Sequence, residues 1–188
     1  MNTGAKKTYD LVKNYQPFYP IELIVKQNML ELIATCEDCF ARSCRVGHFT
    51  ASAFLLNKEL THVLLMHHTK LDKWMQLGGH CDGDADILNV AIKEAREESG
   101  INEIKPLSPE IFDIDMHLIT PNKHEEAHYH FDVRFLLHAY NDDKEHKNHE
   151  SKELRWIKKD ATNIPSNSDS VTRMFEKIRN SAEFIRND

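Results

Sequence analysis

The clearest pattern in the chain is the alternation of apolar and polar residues in "AHYHFDVRFLLH", which predicts a β-strand. The apolar positions share one side of this strand and are Tyr129, Phe131, Val133 and Phe135. The polar positions share the other side and are His128, His130, Asp132 and Arg134. Shorter alternating or β-prone runs predict further strands at "FTASAFLL", "HVLLMHH", "WMQL", "FDIDMHLI" and "LRWI".

Helical patterns dominate the part of the chain that precedes these strands. Residues 1 to about 44 are mostly helical in pattern, with a break bracketed by Pro17 and Pro20 and a helix from about Ile21 to Arg42. We expect residues 1–44 to form an extension packed on one domain of residues 45–188. The extension could pad the core, cover a substrate cleft or form a homodimer contact, and the sequence does not choose among these roles.

Two more helices are predicted within the domain itself. One follows the glycine-rich segment "GGHCDGDAD", where Asp84 or Asp86 can cap its start and Gly100 suits its end. The other runs from Ser168 to Arg186 and is amphipathic. Helices interleaved with strands, several of them in hairpin-like order, predict an α/β fold with a mixed β-sheet.

Composition and charge narrow the class of protein. The 188-residue chain has 30 acidic and 24 basic residues and a net charge of -6, so we expect no general nucleic-acid surface. No apolar run reaches the ~20 residues of a membrane span, and "MNTGAKKTYD" has no apolar signal core, so we expect a cytoplasmic protein without a membrane partner. A small anionic substrate stays compatible with the net charge, because a bound cation can reverse the local sign.

The four cysteines allow two interpretations. In a cytoplasmic chain we expect free thiols rather than disulfides. The spacing of Cys36, Cys39, Cys44 and His48 could form a small zinc site. The alternative is that Cys36 and Cys39 lie on the buried face of a helix, because helical periodicity continues to Phe40.

The helix that ends at Gly100 carries the most informative group of side chains. Glu94, Glu97 and Glu98 cluster on one face, away from an apolar stripe made of Leu88, Ala91, Ile92 and Ala95. Hard divalent cations such as Mg²⁺ and Mn²⁺ prefer carboxylate oxygens and often share their ligand shell with phosphates. Carboxylates beside a glycine-rich loop therefore suggest phosphate chemistry, although a solvated acidic face would give the same pattern.

The segment from Gly79 to Ile101 resembles the signature box of the Nudix hydrolases, G-x5-E-x7-R-E-U-x-E-E-x-G-U, where U is bulky and apolar. Glu94, Glu97 and Glu98 fall on its later glutamates without a gap. Three positions depart from the pattern: Ala85 replaces the first Glu, Lys93 replaces Arg and Ala95 is small for its position. The consecutive strand segments extend the resemblance over roughly residues 45 to 160, and it implies the Nudix α/β/α sandwich.

The resemblance implies a hydrolase that cleaves a diphosphate bond in a nucleoside diphosphate linked to another moiety, with Mg²⁺ or Mn²⁺. The metal ligands would be Glu94, Glu97, Glu98 and a backbone carbonyl at Gly79. The general base that activates water would be Glu97 first, then Glu153 or Glu150. Lys93 could orient Glu97, or form a surface pair with it.

The histidines near the box are harder to assign. His80 follows the glycines directly and could reach a substrate phosphate. The polar side of the alternating strand, with His128, His130, Asp132 and Arg134, could bind substrate, hold a second metal or form a satisfied polar layer; we take substrate binding as the working prediction.

Two alternatives to this function stay open at the level of the sequence. The enzyme could act on a diphosphate without a nucleoside, such as an isoprenoid or inositol diphosphate. The chain could also be a non-catalytic Nudix-like module that binds a nucleotide or a partner protein, which the loss of the first box glutamate at Ala85 favours and the other box glutamates oppose.

Overall fold

The computed structural model describes residues 2–121, 123, 126–141 and 144–180. Its elements, in chain order, are α1 (Thr3–Asn14), α2 (Pro20–Thr35), β1 (Gly47–Leu56), β2 (His62–His68), β3 (Lys73–Met75), β4 (Leu77–His80), α3 (Ile87–Ser99), β5 (Ile104–Pro106), β6 (Asp113–Ile119), β7 (His128–Ala139), β8 (Ser151–Lys158) and α4 (Asp169–Asn180). The predicted fold class, helices with a mixed β-sheet, is confirmed. Among the described helices, none combines the length and the apolar character that a membrane crossing requires.

The chain forms two compact units. The first contains the residues up to Ser52 together with Gly79–Ala91 and Pro109–Phe135. In this unit β6 pairs antiparallel with the first part of β7, and β1 is also a neighbour of β7. Helix α1 packs on α2, and α2 packs on β6. A polar side chain on β7 therefore has β1 on one side and β6 on the other.

The second unit contains Ala53–Gly78, Ile92–Ser108 and the residues from Leu136 onward. Strand β2 pairs antiparallel with β8, with β3 and with the end of β1, and the later part of β7 pairs with β5. Helix α4 buries an apolar face, and its Phe175 makes an edge contact with Phe54 at 5.1 Å between ring centroids. The division into residues 1–44 and 45–188 stays a prediction.

Both ends of α3 are built as its sequence predicts. The Asp86 carbonyl accepts from the Val90 N–H at 3.0 Å, and the Asp86 side chain accepts from Asn89 at 3.4 Å. At the other end, Gly100 has a φ of +71°, and its N–H donates to the Arg96 carbonyl at 2.8 Å. This backbone conformation favours glycine because a Cβ atom would strain it.

Helix α2 is shorter than its periodicity predicts. It ends at Thr35 rather than near Arg42, because Cys36 adopts an extended backbone with φ −116° and ψ 111°. Cys36 and Cys44 form a disulfide in the turns that follow. The expectation of four free thiols is therefore wrong for this pair, and so is the placement of Cys36 and Cys39 on a helix; Cys39 and Cys81 are free and buried.

Smaller differences concern short elements. The run "WMQL" forms the two short strands β3 and β4 instead of one, and β5 was not predicted. The other predicted strands are present within a few residues of their expected positions. Helix α4 begins at Asp169, and the predicted continuation beyond Asn180 lies outside the described residues.

Candidate functional site

The three glutamates of the acidic helix differ strongly in exposure. Glu98 is 3% exposed, whereas the side chains of Glu94 and Glu97 are 16% and 56% exposed. Ala91 and Ala95, on the apolar stripe of the helix, are fully buried. The small side chain of Ala95 therefore packs in the protein interior. Helix α3 therefore directs a graded set of carboxylates from a buried position toward solvent.

The glycine loop contacts the most buried of these carboxylates. The Gly78 N–H donates to Oε2 of Glu98 at 2.7 Å. Gly78 has a φ of +155°, a conformation that residues with a side chain rarely adopt. Gly78, the residue just before the first glycine of the box, therefore orients the carboxylate of Glu98.

Burial changes the proton affinity of two box glutamates. It raises the pKa of Glu98 to about 8, against the opposing effect of the Gly78 hydrogen bond, and the charges of Glu94, Glu150 and Glu97 raise it further. Burial is also the main cause of a raised pKa at Glu94. A cation among these oxygens would relieve both burial and repulsion of the negative charges, so the donor set fits a hard divalent ion such as Mg²⁺ or Mn²⁺.

Among the described residues, the three box glutamates do not form a group whose possible ligand atoms all lie close to one another. Two sets bring their ligand atoms within 4.8 Å of one another: His48 with His128 and His130, and Cys36 with Asp38 and Cys44. His48 therefore groups with other histidines rather than with the cysteines of the predicted zinc spacing. Wider spacing of the glutamates is compatible with Mg²⁺, which keeps several waters and binds substrate phosphates.

A loop before β8 is fastened to the C-terminal end of α3. The His146 N–H donates to the Ser99 carbonyl at 2.6 Å, and Nδ2 of Asn148 donates to the Glu97 carbonyl at 3.3 Å. Asn148 in turn accepts from the Glu150 N–H at 2.9 Å. These bonds hold Glu150 where its charge acts on the box glutamates.

Glu153, the other loop candidate of the sequence prediction, has a different partner. Its Oε1 accepts from Nη2 and Nε of Arg155 at 2.5 and 2.9 Å. Lys93 lies 3.5 Å from Oε1 of Glu94 and 3.8 Å from Oε1 of Glu97, with its side chain 59% exposed. The structure thus brings Glu150 and Lys93 to the box carboxylates and pairs Glu153 with an arginine.

The polar side of β7 ends in a buried charge network. Arg134, 2% exposed, donates from Nε to Asp132 at 2.7 Å, from Nη1 to Asp113 at 2.9 Å and from Nη2 to Asp115 at 3.2 Å. Burial acts to lower the pKa of Arg134, but the three carboxylates outweigh it and raise that pKa. Because Arg134 and Asp132 bond each other inside the protein, the geometry favours a structural role for both over the predicted substrate contact.

The other polar residues of β7 belong to a group of histidines, which we call the histidine cluster: His48, His80, His117, His128 and His130. His130 is central, and its Nε2 lies 3.3 Å from Nε2 of both His80 and His128. Burial, followed by the neighbouring histidines, lowers the pKa of His130 to about 2, so its ring is neutral. The structure therefore brings together three residues that the sequence assigned to substrate binding.

His117 was not among the predicted site residues, and His48 was considered only as a zinc ligand together with Cys36, Cys39 and Cys44. His117 is directly opposite His130 in the β6–β7 register, and His48 lies on β1, the other neighbour of β7. Strand pairing places them beside His128 and His130. A single sequence does not reveal which strands pair, so these neighbours could not be predicted. The available signal was the high histidine content, 12 residues, with the pair His128 and His130 spaced for one strand face.

Comparison with solved structures gives the same fold repeatedly. A C. elegans Ap4A hydrolase in a binary complex is 17% identical with a TM-score of 0.56, over 70% of this chain and 94% of that chain. A NUDIX-family hydrolase from Clostridium perfringens is 26% identical with a TM-score of 0.51, over 70% and 96%. A UDP-X diphosphatase is 13% identical with a TM-score of 0.53, over 93% and 90%.

A search of curated proteins finds no match. The NUDIX domain family model matches residues 47–176, a range that contains the glycine loop, the acidic helix and the loop that holds Glu150. The match covers more than half of the chain and agrees with the Nudix fold of the solved structures. The chain therefore belongs to the NUDIX family.

Proposed function

We propose that this chain is a hydrolase that depends on Mg²⁺ or Mn²⁺ and cleaves a diphosphate bond in a nucleoside diphosphate linked to another moiety. The observation that carries the proposal is the buried Glu98, which is held by Gly78 and surrounded by the charges of Glu94, Glu97 and Glu150. Membership of the NUDIX family supports hydrolysis. The names of similar structures, an Ap4A hydrolase and a UDP-X diphosphatase, support a nucleotide substrate.

The metal would be held by Glu94, Glu97 and Glu98, with Glu150 as a further candidate ligand, and a carbonyl ligand at Gly79 stays an expectation from the family resemblance. When bound, it supplies positive charge that neutralises the diphosphate and makes a bound water more acidic. Glu98 is held by the Gly78 N–H at one oxygen. The glycine backbone therefore orients one ligand of the proposed metal site.

The general base is Glu97, the most exposed of the box glutamates and so the one that water reaches most easily. A Glu97 carboxylate oxygen takes a proton from water, the water oxygen bonds to phosphorus, and the bridging P–O bond breaks. The leaving phosphate oxygen takes the electron pair and is protonated by solvent. Lys93, 3.8 Å from Glu97, orients that carboxylate, and Glu150 is the second candidate base in preference to Glu153.

The test is a substrate panel with purified protein and Mg²⁺ or Mn²⁺: nucleotide sugars, dinucleoside polyphosphates, coenzyme A derivatives, nucleoside triphosphates and isoprenoid or inositol diphosphates. Mass spectrometry identifies the products. The Glu97→Gln variant should lose ~10²-fold or more of the rate, whereas Glu31→Gln, an exposed glutamate on α2, serves as the matched control. Cleavage of only the non-nucleotide compounds would replace the substrate class, and an inactive protein that also binds no Mn²⁺ would favour the non-catalytic module.

A further inference from the structure

The histidine cluster uses strand geometry to place several imidazoles together. His128 and His130 are two residues apart on β7 and so share one face of the strand. His48 lies on β1, a neighbour of β7, and His80 ends β4, a neighbour of β1. His117 lies on β6 opposite His130, so four strands contribute rings to the cluster.

Two distances within the cluster match those between the ligands of a metal ion. One ligand atom from each of His48, His128 and His130 lies within 4.8 Å of the other two. The Nε2 atom of His130 is 3.3 Å from Nε2 of His128 and 3.3 Å from Nε2 of His80. Two nitrogens bound at ~2.0–2.1 Å to a tetrahedral zinc ion are separated by ~3.3–3.4 Å.

A hydrogen-bonded cluster without metal explains these distances less well. Nδ1 of His128 lies 2.8 Å from the Glu126 carbonyl, which accepts a proton and cannot donate one. Nδ1 of His128 therefore carries a hydrogen, and in the neutral ring the Nε2 lone pair is available to the cluster. His130 Nε2 carries either one proton or one lone pair, so one hydrogen bond accounts for only one of its two short contacts.

The same contact is typical of metal-binding histidines. A ligating histidine almost always donates its second ring N–H to a backbone carbonyl, a carboxylate or water, which fixes the tautomer and the ring orientation. The Glu126 carbonyl has this position relative to His128. His48 is 3% exposed whereas His128 and His130 are half-buried, so the group lies at the edge of the interior and not on an open surface.

We propose that His48, His128 and His130 form a zinc site in this protein, with Nε2 of His80 as the fourth ligand. Imidazole nitrogens select Zn²⁺ and related transition metals, whereas the glutamates of α3 suit Mg²⁺ or Mn²⁺. The two sites therefore differ in ion and in ligand residues, and the zinc site does not depend on the proposed hydrolase activity. A bound ion would join β1 to β7 within the first unit.

The test measures zinc in tag-free wild-type protein after dialysis against Zn²⁺ without reductant, which keeps Cys36 and Cys44 paired. We expect one zinc per chain and a rise in melting temperature on zinc binding. The double variant with His128→Ala and His130→Ala should lose the zinc, and His80→Ala should weaken binding by ~10-fold or more. His138→Ala is the matched control, since His138 lies on β7 but outside the cluster.

X-ray absorption at the zinc edge of the wild type decides the ligands without any variant. Nitrogen neighbours at ~2.0–2.1 Å with imidazole scattering would support the proposal, and sulfur at ~2.3 Å or oxygen alone would overturn it. Absence of stoichiometric zinc in the wild type would also overturn it. The proposal would also be overturned if the folded double variant kept its zinc. Loss of zinc in a folded Cys36→Ser variant would overturn it as well.

Discussion

The Gly78 N–H donates to Oε2 of Glu98 at 2.7 Å, so the glycine loop and the acidic helix meet at the most buried box carboxylate. This bond lowers the cost of a negative charge at Glu98, but burial outweighs it and keeps the pKa near 8. Without a cation, the carboxyl group is therefore largely protonated at neutral pH. A metal bound at Glu98 would therefore require this carboxyl group to ionise.

Replacement of Glu98 by Gln should separate its charge from its shape. The amide oxygen can still accept from Gly78, so we expect a folded protein, but the loss of the anion should weaken Mn²⁺ binding by ~10-fold or more. Titration calorimetry measures the affinity, and Glu31→Gln controls for a change in net charge. Equal Mn²⁺ affinity in the wild type and in Glu98→Gln would remove Glu98 from the ligand set.

The metal-free protein should lose stability as the pH rises. The folded pKa of Glu98, about 8, exceeds the ordinary value of 4.5, so the folded state keeps a proton that the unfolded state releases. Its stabilising contribution is present below pH 4.5 and is lost as the pH rises to 8, at up to ~1.4 kcal/mol per pH unit for one group.

Urea unfolding in EDTA at several pH values between 5 and 8 measures this dependence. The Glu98→Gln variant should give a flatter profile than the wild type, because the amide does not titrate. Parallel profiles for the two proteins would show that other groups cause the dependence.

Glu150 and Glu153 should differ in their importance for activity. Glu150 acts electrostatically on Glu94 and Glu98, whereas Glu153 is paired with Arg155. We expect Glu150→Gln to reduce kcat by ~10-fold because it removes a charge that acts on the box glutamates, and Glu153→Gln to change kcat little. The two variants carry the same chemical change, so each serves as a control for the other; the reverse order would restore Glu153 as the loop base.

Arg134→Met should destabilise the protein rather than affect substrate binding alone. Its removal leaves Asp113, Asp115 and Asp132 close together without their shared cation, and breaking a buried pair costs about 3–5 kcal/mol. Chemical unfolding measures the change. A variant with wild-type stability and a raised KM would instead support the substrate-binding role predicted from the sequence.

The thiols should react in two stages. Cys39 and Cys81 are buried, and burial raises the pKa of both, to about 11 for Cys39, so neither should react with a thiol reagent in the folded protein at pH 8. Unfolding should expose two reactive thiols, and prior reduction should raise this to four because Cys36 and Cys44 are then released. Four thiols without reduction would show that this pair is not a disulfide in solution.

Sequence patterns predicted the elements that have clear periodicity and local end signals. Helix α3 has an aspartate before its start and a glycine after its end. The observed bounds of β2 are the same as those of the predicted run "HVLLMHH". The end of α2 was wrong because apolar spacing continues to Phe40, while the Cys36–Cys44 disulfide lies in the turns beyond Thr35. Strand β5 was missed because its three residues are too short for a period.

The candidate site shows the same division between local and long-range information. The box glutamates follow from spacing along one helix, but the partners of Arg134 do not. Asp113 and Asp115 lie on β6 and reach Arg134 only through strand pairing. A charged residue in an alternating strand has the same pattern whether it faces solvent, substrate or buried carboxylates, so its environment had to come from the structure.

The hydrogen bonds from His146 and Asn148 to the end of α3 have a consequence for the position of Glu150. A Cβ atom at Gly100 would lie 2.9 Å from the Cβ atom of His146, so the glycine also makes room for the loop. Asn148 also accepts from the Glu150 N–H, so the position of Glu150 depends on these anchoring bonds. Changes at Gly100, His146 or Asn148 would therefore displace Glu150 relative to the box glutamates.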